Sequence, residues 1–332
     1  MKFAIIGGGG GHFGHVLDAA REDPSLELCG IAPGESESIE RLAGSVRSAG
    51  FSVPSYSSWQ ELVDKEKPDI AVLCPEYYLL APLACRMLEM GVHVYSEKPC
   101  ATTEEWLEKL IAAEENSAAR YLAMFTYYYQ PRFKKAFDIV SSGAIGEVRL
   151  INSQKSYKFG NSRPDFYRHK EKYGGTMLWV GIHAINWIHW FTGLKFESAH
   201  AFGSTGANRG FGQMDMTDVM SFRLENGVLA SATVDYLNHP NYCAHGDDRL
   251  RVVGTEGTLD VIGNKILLYN DDHCGEIKYA EKDENMFAQY LRFLGGEEIR
   301  FNTQDCFDIT RAALYAEKSA EEAREILWRE ES

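Results

Sequence analysis

The chain has 332 residues, 45% hydrophobic and 25% charged, and a formal net charge of −14. That length suits two domains rather than one, and the acidity argues against a nucleic-acid partner, whose phosphates it would repel. Seven scattered cysteines without a C-x-x-C pair argue against a disulfide framework, and the longest apolar segment, MLWVGIHAINWIHWF, is too short to span a bilayer.

Residues Lys2 to Ile6 form a short apolar run without polar alternation, which predicts a strand buried on both faces of a parallel sheet. The run is too short for a secretory signal and ends in glycines, so a cytoplasmic protein is expected. The turn GGGGGHFGH follows, then a helix ended by Pro24. LELCGIA predicts a second strand and SIERLAGSVRSAG a helix closed by Gly50; a short strand is expected near Phe51 to Val53, before the helix WQELVDKEKP. DIAVLCP, HVYSEKP and RYLAMFTYY predict further strands, separated by the helices LLAPLACRMLEMG and TTEEWLEKLIAAEENSA. The last of these begins with a threonine cap and an acidic first turn. Such alternation defines a doubly wound α/β domain with a parallel sheet, placed at residues 1–122.

Beyond that point the texture changes. PRFKKAFDIVSSGAIGEV reads as a helix and a turn, and strand-like segments then dominate: EVRLINSQKSY, SAHAFGST, DVMSFRLENGVLASATVDYL, RLRVVGTEGTLDVIG and KILLYN. Their alternation and turn signals predict an α+β domain over residues 123–332, built on a large, open, mostly antiparallel sheet. A closing helix is expected over TQDCFDITRAALYAEKSAEEAREILWRE.

Three features carry chemistry. In the fingerprint register the turn after the first strand places Gly9, Gly11 and Gly14 for a tight turn, for backbone approach to a pyrophosphate, and for close helix–strand packing. Gly7, Gly8 and Gly10 leave that register open by a residue or two. The expected acid at the end of the second strand is replaced by Pro33-Gly34-Glu35. Either Glu35 reaches back to a ribose, or Ser36, Ser38 and Arg41 receive a 2′-phosphate, so NAD and NADP both remain open. The second feature is Glu97-Lys98-Pro99 at the carboxyl end of a parallel strand, where ligands of such folds bind. The third is GGTMLWVGIHAINWIHWF, in which helical spacing puts Trp179, His183, Asn186 or Trp187, and Trp190 on one face. His183 is a candidate general base, whereas His189 reads as a core histidine. The loop NHPNYCAHGDD crowds His239, Cys243, His245, Asp247 and Asp248, but its spacing matches no familiar metal site, and no metal is expected.

In this order the motifs resemble the glucose–fructose oxidoreductase / inositol dehydrogenase / MocA (Gfo/Idh/MocA) family of NAD(P)-dependent oxidoreductases. The resemblance runs nearly end to end, through the glycine turn, Glu97-Lys98-Pro99, SSGAIGEV, GGTMLWVGIH, VVGTEGTLDV and YAEKSAEEAR. It implies a Rossmann domain followed by an open-sheet domain often used for oligomer contact, and hydride transfer between nicotinamide and a sugar or cyclitol carbon. It makes Lys98 and His183 the catalytic pair. It assigns Gly7, Gly9, Gly11, His12, Phe13, Gly14, Glu35, Pro75, Glu97 and Lys98 to the cofactor. The chain departs from the family where Trp179 and Asn186 stand in place of aspartates around the histidine. The Pro-Asn-x-x-His turn reads Pro75-Glu76-Tyr77-Tyr78-Leu79, and Tyr128 replaces an arginine. Asp165, Arg168, Tyr173 and Tyr167 are the candidate substitutes on the substrate side, with Tyr128, Trp179 and Asn186. A small sugar-like substrate and a homodimer or homotetramer are the expected partners. A redox-neutral lyase or glycosidase using bound NAD, and a non-catalytic dinucleotide sensor, are the competing readings.

Overall fold

A computed structural model describes residues 1–8, 12–160, 163–280 and 284–328. The chain divides into two compact units. The first comprises Met1–Phe125 with Glu171–Gly174 and Glu284–Phe307; the second comprises Thr126–Lys170, Gly175–Asp283 and Asp308–Ser332.

In the first unit, strands β1 (Lys2–Ile6), β2 (Glu27–Ala32), β3 (Ile70–Leu73), β4 (His93–Ser96) and β5 (Tyr121–Ala123) form a parallel sheet in the order β2-β1-β3-β4-β5. The direction of winding reverses between β1 and β3, and in open α/β sheets that crevice is where ligands bind. Helices α1 (Gly14–Glu22), α2 (Ile39–Ser48), α3 (Trp59–Glu66), α4 (Leu80–Glu89) and α5 (Glu104–Glu115) connect the strands. Ser58 and Thr103 cap α3 and α5 by accepting the Glu61 and Trp106 N–H groups, each at 3.2 Å. No strand forms near Phe51–Val53; the segment meets the sheet only through a single bridge between Ile31 and Ser55. Its run is too short to sustain a ladder, and Pro54 has no N–H to donate. One side of the sheet is closed by an aromatic cluster. Tyr95 stacks on Tyr290 at 5.0 Å and meets Phe287 at 5.1 Å, while Phe3 meets Phe287 at 5.9 Å.

The second unit contains α6 (Pro131–Ser141), β6 (Val148–Tyr157), the start of the one-turn helix α7 (Lys170–Tyr173), α8 (Ile182–Thr192), β7 (Phe196–Ser204), β8 (Thr217–Leu224), β9 (Leu229–Asp235), β10 (Gly246–Gly254), β11 (Gly257–Ile262), β12 (Lys265–Asn270) and β13 (Cys274–Ile277). After α9 (Met286–Leu294) of the first unit, α10 (Thr303–Glu322) and β14 (Ile326–Leu327) complete the chain. The nine-stranded sheet runs β13-β12-β11-β10-β6-β9-β8-β7-β14 and is antiparallel throughout except at β6–β9. Alternation is clean. Along β8, Asp218, Met220, Phe222 and Leu224 are buried, and Val219, Ser221 and Arg223 are exposed. Helix α8 lies on the buried face, against β6 and β9. On the other face Phe202, Val219, Leu229 and Leu327 are at least half exposed. The closing segment is not one helix. It stops at Glu322, because Ala323 takes φ +51, and Trp328 then packs on Phe196 and Tyr315.

Candidate active site

In the first unit β1 ends at Ile6, and Gly7 turns the chain with φ +77. A Cβ on Gly7 would lie 2.5 Å from Cα and N of Pro75, so the backbones leaving β1 and β3 touch at the winding reversal. Only glycine satisfies both the positive φ and the contact. Gly9 and Gly11 lie outside the described residues. Gly14 opens α1, but nothing stands within 4 Å of where its Cβ would be. Close helix–strand packing, the role expected of the third glycine, is therefore not what Gly14 provides. Phe13 is buried at the helix entrance.

Glu97 and Lys98 follow β4 directly and are buried, 1% and 2% exposed. The Glu97 carboxylate pairs with His12 Nδ1 and accepts the Lys98 N–H at 2.9 Å, which ties the end of β4 to the glycine turn. Burial pushes the Glu97 carboxyl up, but the His12 imidazole and the Lys98 charge outweigh it, and it titrates below the usual carboxylate range. The Lys98–Pro99 peptide is cis.

The loop after β2 holds the acid that sequence reasoning missed. Glu37, not Glu35, reaches the glycine turn, where its carboxylate accepts the Gly8 N–H at 2.7 Å. Burial raises the Glu37 carboxyl, the Gly8 and Gly34 N–H groups partly offset this, and the Glu76 charge adds to the rise. Glu35 is exposed and accepts the Tyr78 hydroxyl. Glu76 accepts the backbone N–H groups of Glu35 at 3.1 Å and Ser36 at 2.7 Å, together with the Ser36 hydroxyl. Ser38 donates to Glu40. The only local signal for Glu37 was an acid within a few residues of the strand end, and Glu35 masked it. A dinucleotide fits this unit. Gly7 and Gly8 leave backbone without side chains at the switch point, the α1 N-terminus follows, and Glu37 stands where a ribose-binding acid belongs.

In the second unit, Met177–Gly181 is a π-helical turn that runs into α8. It carries Trp179, and His183 follows on the first turn of α8; both are buried. Trp179 meets Tyr167 edge-on at 6.3 Å. Trp187 stacks on Phe133 at 4.6 Å and Trp190 on Phe137 at 5.1 Å, so these two rings pack against α6. Tyr128 packs on Trp190 at 4.3 Å. Trp179 and the Trp187–Trp190 pair thus have different aromatic neighbours, and the wide turn at Met177–Gly181 separates them along the chain. Asn186 is fully buried, and its Oδ1 and Nδ2 have no hydrogen-bond partner among the described residues. Asp165 is exposed and pairs with Arg168 at 3.0 Å; Arg168 donates to the Gly210 carbonyl at 2.5 Å and lies over Phe211. Those two are engaged at the surface. Tyr173 is buried in the first unit, 6.4 Å from Tyr77. His189 stacks on Phe196. In the His239–Asp248 loop, Asp248 binds Lys155 at 2.6 Å and Asp247 binds Arg249 at 2.7 Å.

The fold and these residues place the chain among Rossmann-type oxidoreductases with a second, open-sheet domain. Two family profiles match: the oxidoreductase family, NAD-binding Rossmann fold, over residues 1–125, and the GFO/IDH/MocA C-terminal domain over residues 133–260. A putative oxidoreductase from Thermotoga maritima is 38% identical, with a TM-score of 0.94 over 99% of this chain and all of that one. The chain belongs to the Gfo/Idh/MocA oxidoreductase family. Among curated relatives, an uncharacterised oxidoreductase of Rhizobium meliloti is 30% identical over 56% of this chain and 54% of its own length. The D-glucoside 3-dehydrogenase of Escherichia coli K12 is 23% identical over 72% of this chain and 67% of its own. The chain thus spans between about half and two thirds of the length of these curated relatives. No helix among the described residues is long and apolar enough to cross a membrane.

Proposed function

We propose that the protein is an NAD-dependent dehydrogenase acting on a CH–OH group of a sugar- or cyclitol-like polyol. The observation that carries the proposal is Lys98, a buried lysine at the carboxyl end of β4 whose neighbour Glu97 is tied through His12 to the glycine turn. The dinucleotide, when bound, accepts or supplies the hydride at its nicotinamide ring. Lys98 Nζ holds the reacting oxygen; as the neutral amine it takes the hydroxyl proton while the carbon–hydrogen bond is broken, and as the ammonium it returns that proton in the reverse direction. His183, on the first turn of α8, is a second candidate to hold a substrate hydroxyl, and Trp179 offers an aromatic face to a sugar ring. Asn186 supplies an amide with open hydrogen-bonding capacity on the same helix.

Glu37 supports NAD over NADP. Its carboxylate, with the charge of Glu76 acting on it, would hydrogen-bond a ribose hydroxyl and repel a 2′-phosphate. The exposed apolar residues Phe202, Val219 and Leu229 on the nine-stranded sheet support a homo-oligomer formed through that face, which sedimentation at micromolar concentration reads directly. Five of the seven cysteines are buried thiols, in keeping with a cytoplasmic setting.

The test is titration with NAD(H) and NADP(H), followed by turnover on a panel of polyols and aldoses by native protein and by Lys98→Ala. NADH binds more tightly than NADPH, and Lys98→Ala loses at least about 100-fold in kcat while still binding NADH. Undiminished turnover in Lys98→Ala would overturn the assignment. Tight NADH binding without turnover on any substrate would point to redox-neutral elimination or to sensing.

A further inference from the structure

The turn that introduces the His183 helix is held by a carboxylate from a distant part of the chain. Gly175 has φ +116, and a Cβ there would fall 1.9 Å from Glu317 Oε1, so the carboxylate takes the space of the missing side chain. The same oxygen accepts the Met177 N–H at 3.0 Å. The first N–H groups of a helix have no partner within it, and a negative charge there is favoured by the helix dipole. Glu317 lies on α10 and is 5% exposed; Lys170 binds its other oxygen at 2.8 Å and also binds Glu321 at 2.8 Å. Two more contacts fix the segment. The Thr176 hydroxyl donates to the Asp215 carbonyl at 2.8 Å, and a Cβ on Gly181 would stand 3.1 Å from Met220 and 3.2 Å from Val234. The π-helical turn between Gly175 and Gly181 is thus clamped at both ends, by Glu317 at one and by β8 and β9 at the other.

We propose that Glu317, held by Lys170, is a positioning residue: by binding the Met177 N–H it sets the π-helical turn, and through it the placement of Trp179 and His183. This rests on the assignment of Trp179 and His183 to the substrate side made above. Nothing in the motif around Gly174 and Gly175 announces it, since the partner stands 140 residues later in the sequence. The device works because glycine at position 175 admits the carboxylate, and a side chain there would expel it.

The test uses full-length protein labelled with 5-fluorotryptophan, with the Trp179 fluorine resonance identified through Trp179→Phe. Glu317→Gln keeps an acceptor for Met177 but loses the ion pair; Lys170→Met leaves Glu317 in place without its cation. In both variants the Trp179 resonance shifts while those of Trp59 on α3 and Trp106 on α5 do not. Turnover falls about tenfold in kcat, with the KM for NADH unchanged within about twofold. A Trp179 resonance that is identical in native protein and both variants overturns the proposal, and so does a shift without any fall in kcat. If the native protein turns over no polyol, the dehydrogenase reading fails by itself, and the Trp179 resonance alone decides the positioning role.

Discussion

Glu97 in the first unit and Asp218 in the second are each about 1% exposed, yet they titrate in opposite directions. Burial pushes both up. Around Glu97 the His12 imidazole, the Lys98 charge and the Lys98 N–H reverse that push. Around Asp218 the nearby Glu317 and Asp215 charges reinforce it, Lys170 offsets little, and the carboxyl is raised to about 9. Neither Asp218 oxygen has a hydrogen-bond partner among the described residues. Among the described residues, the one cation acting on it, Lys170, is bound to Glu317 and Glu321. A buried charge persists only with matched donors, and otherwise the group stays neutral. The first unit surrounds its buried carboxylate at the end of β4 with donors that lower it; the second crowds Asp218 with Glu317 and Asp215, and burial raises the carboxyls of all three.

The largest expected effect is at Asp218. A carboxyl with a raised folded pKa contributes its full stability below the ordinary value of 3.8 and loses it as pH rises towards about 9. Asp218→Asn, which cannot ionise, should match native protein near pH 4 and exceed it by about 3 kcal/mol at pH 8. Urea denaturation at the two pH values reads the difference, and a variant less stable at pH 8 would show that the carboxylate has found partners. Glu97→Gln should do the opposite. Its stabilisation is present above the ordinary 4.5 and is lost as pH falls through the lowered folded value, so the variant loses about 2 kcal/mol at pH 7 and little in acid. Denaturation at pH 7 and at pH 3 checks the sign; equal losses at both would mean that the pair with His12 carries no charge.

The smallest effect on stability is expected at the half-buried Glu37. Glu37→Gln removes a raised carboxyl but keeps an acceptor for Gly8, so stability changes by less than about 0.5 kcal/mol. The preference for NADH over NADPH should nonetheless fall about tenfold in parallel titrations. An unchanged preference would move cofactor discrimination to Glu35 or Glu76.

Much of the first unit was legible because its signals are local. The apolar runs at Phe3–Ile6 and Ile70–Leu73 cannot be satisfied except between two layers, and Ser58 and Thr103 cap the helices that their sequence announces. The position of Lys98 followed from the same reasoning, since a strand followed by Glu-Lys-Pro can end only at the sheet's carboxyl edge. The reading was less complete where contacts are remote. The sequence points to Glu35, whereas Glu37 meets Gly8, because loop conformation, not spacing, decides which carboxylate does so. Asp165 and Arg168 looked like site residues but bind each other and the Gly210 carbonyl. Trp187 and Trp190 pack on Phe133 and Phe137 of α6, partners remote in sequence that the spacing along one helix cannot announce.

By itself the sequence determined the two kinds of sheet, the glycine turn after β1, the lysine after β4 and the helix bearing His183, because hydrophobic period and backbone chemistry act over a few residues. The tertiary structure decided which charges meet. It brought Glu97 to His12, Glu37 to Gly8 and Glu317 to Gly175 and Met177, and it left Asp218 among acids. Those pairings depend on distance through space and on the desolvation that burial imposes, and neither is written in the spacing of residues along the chain.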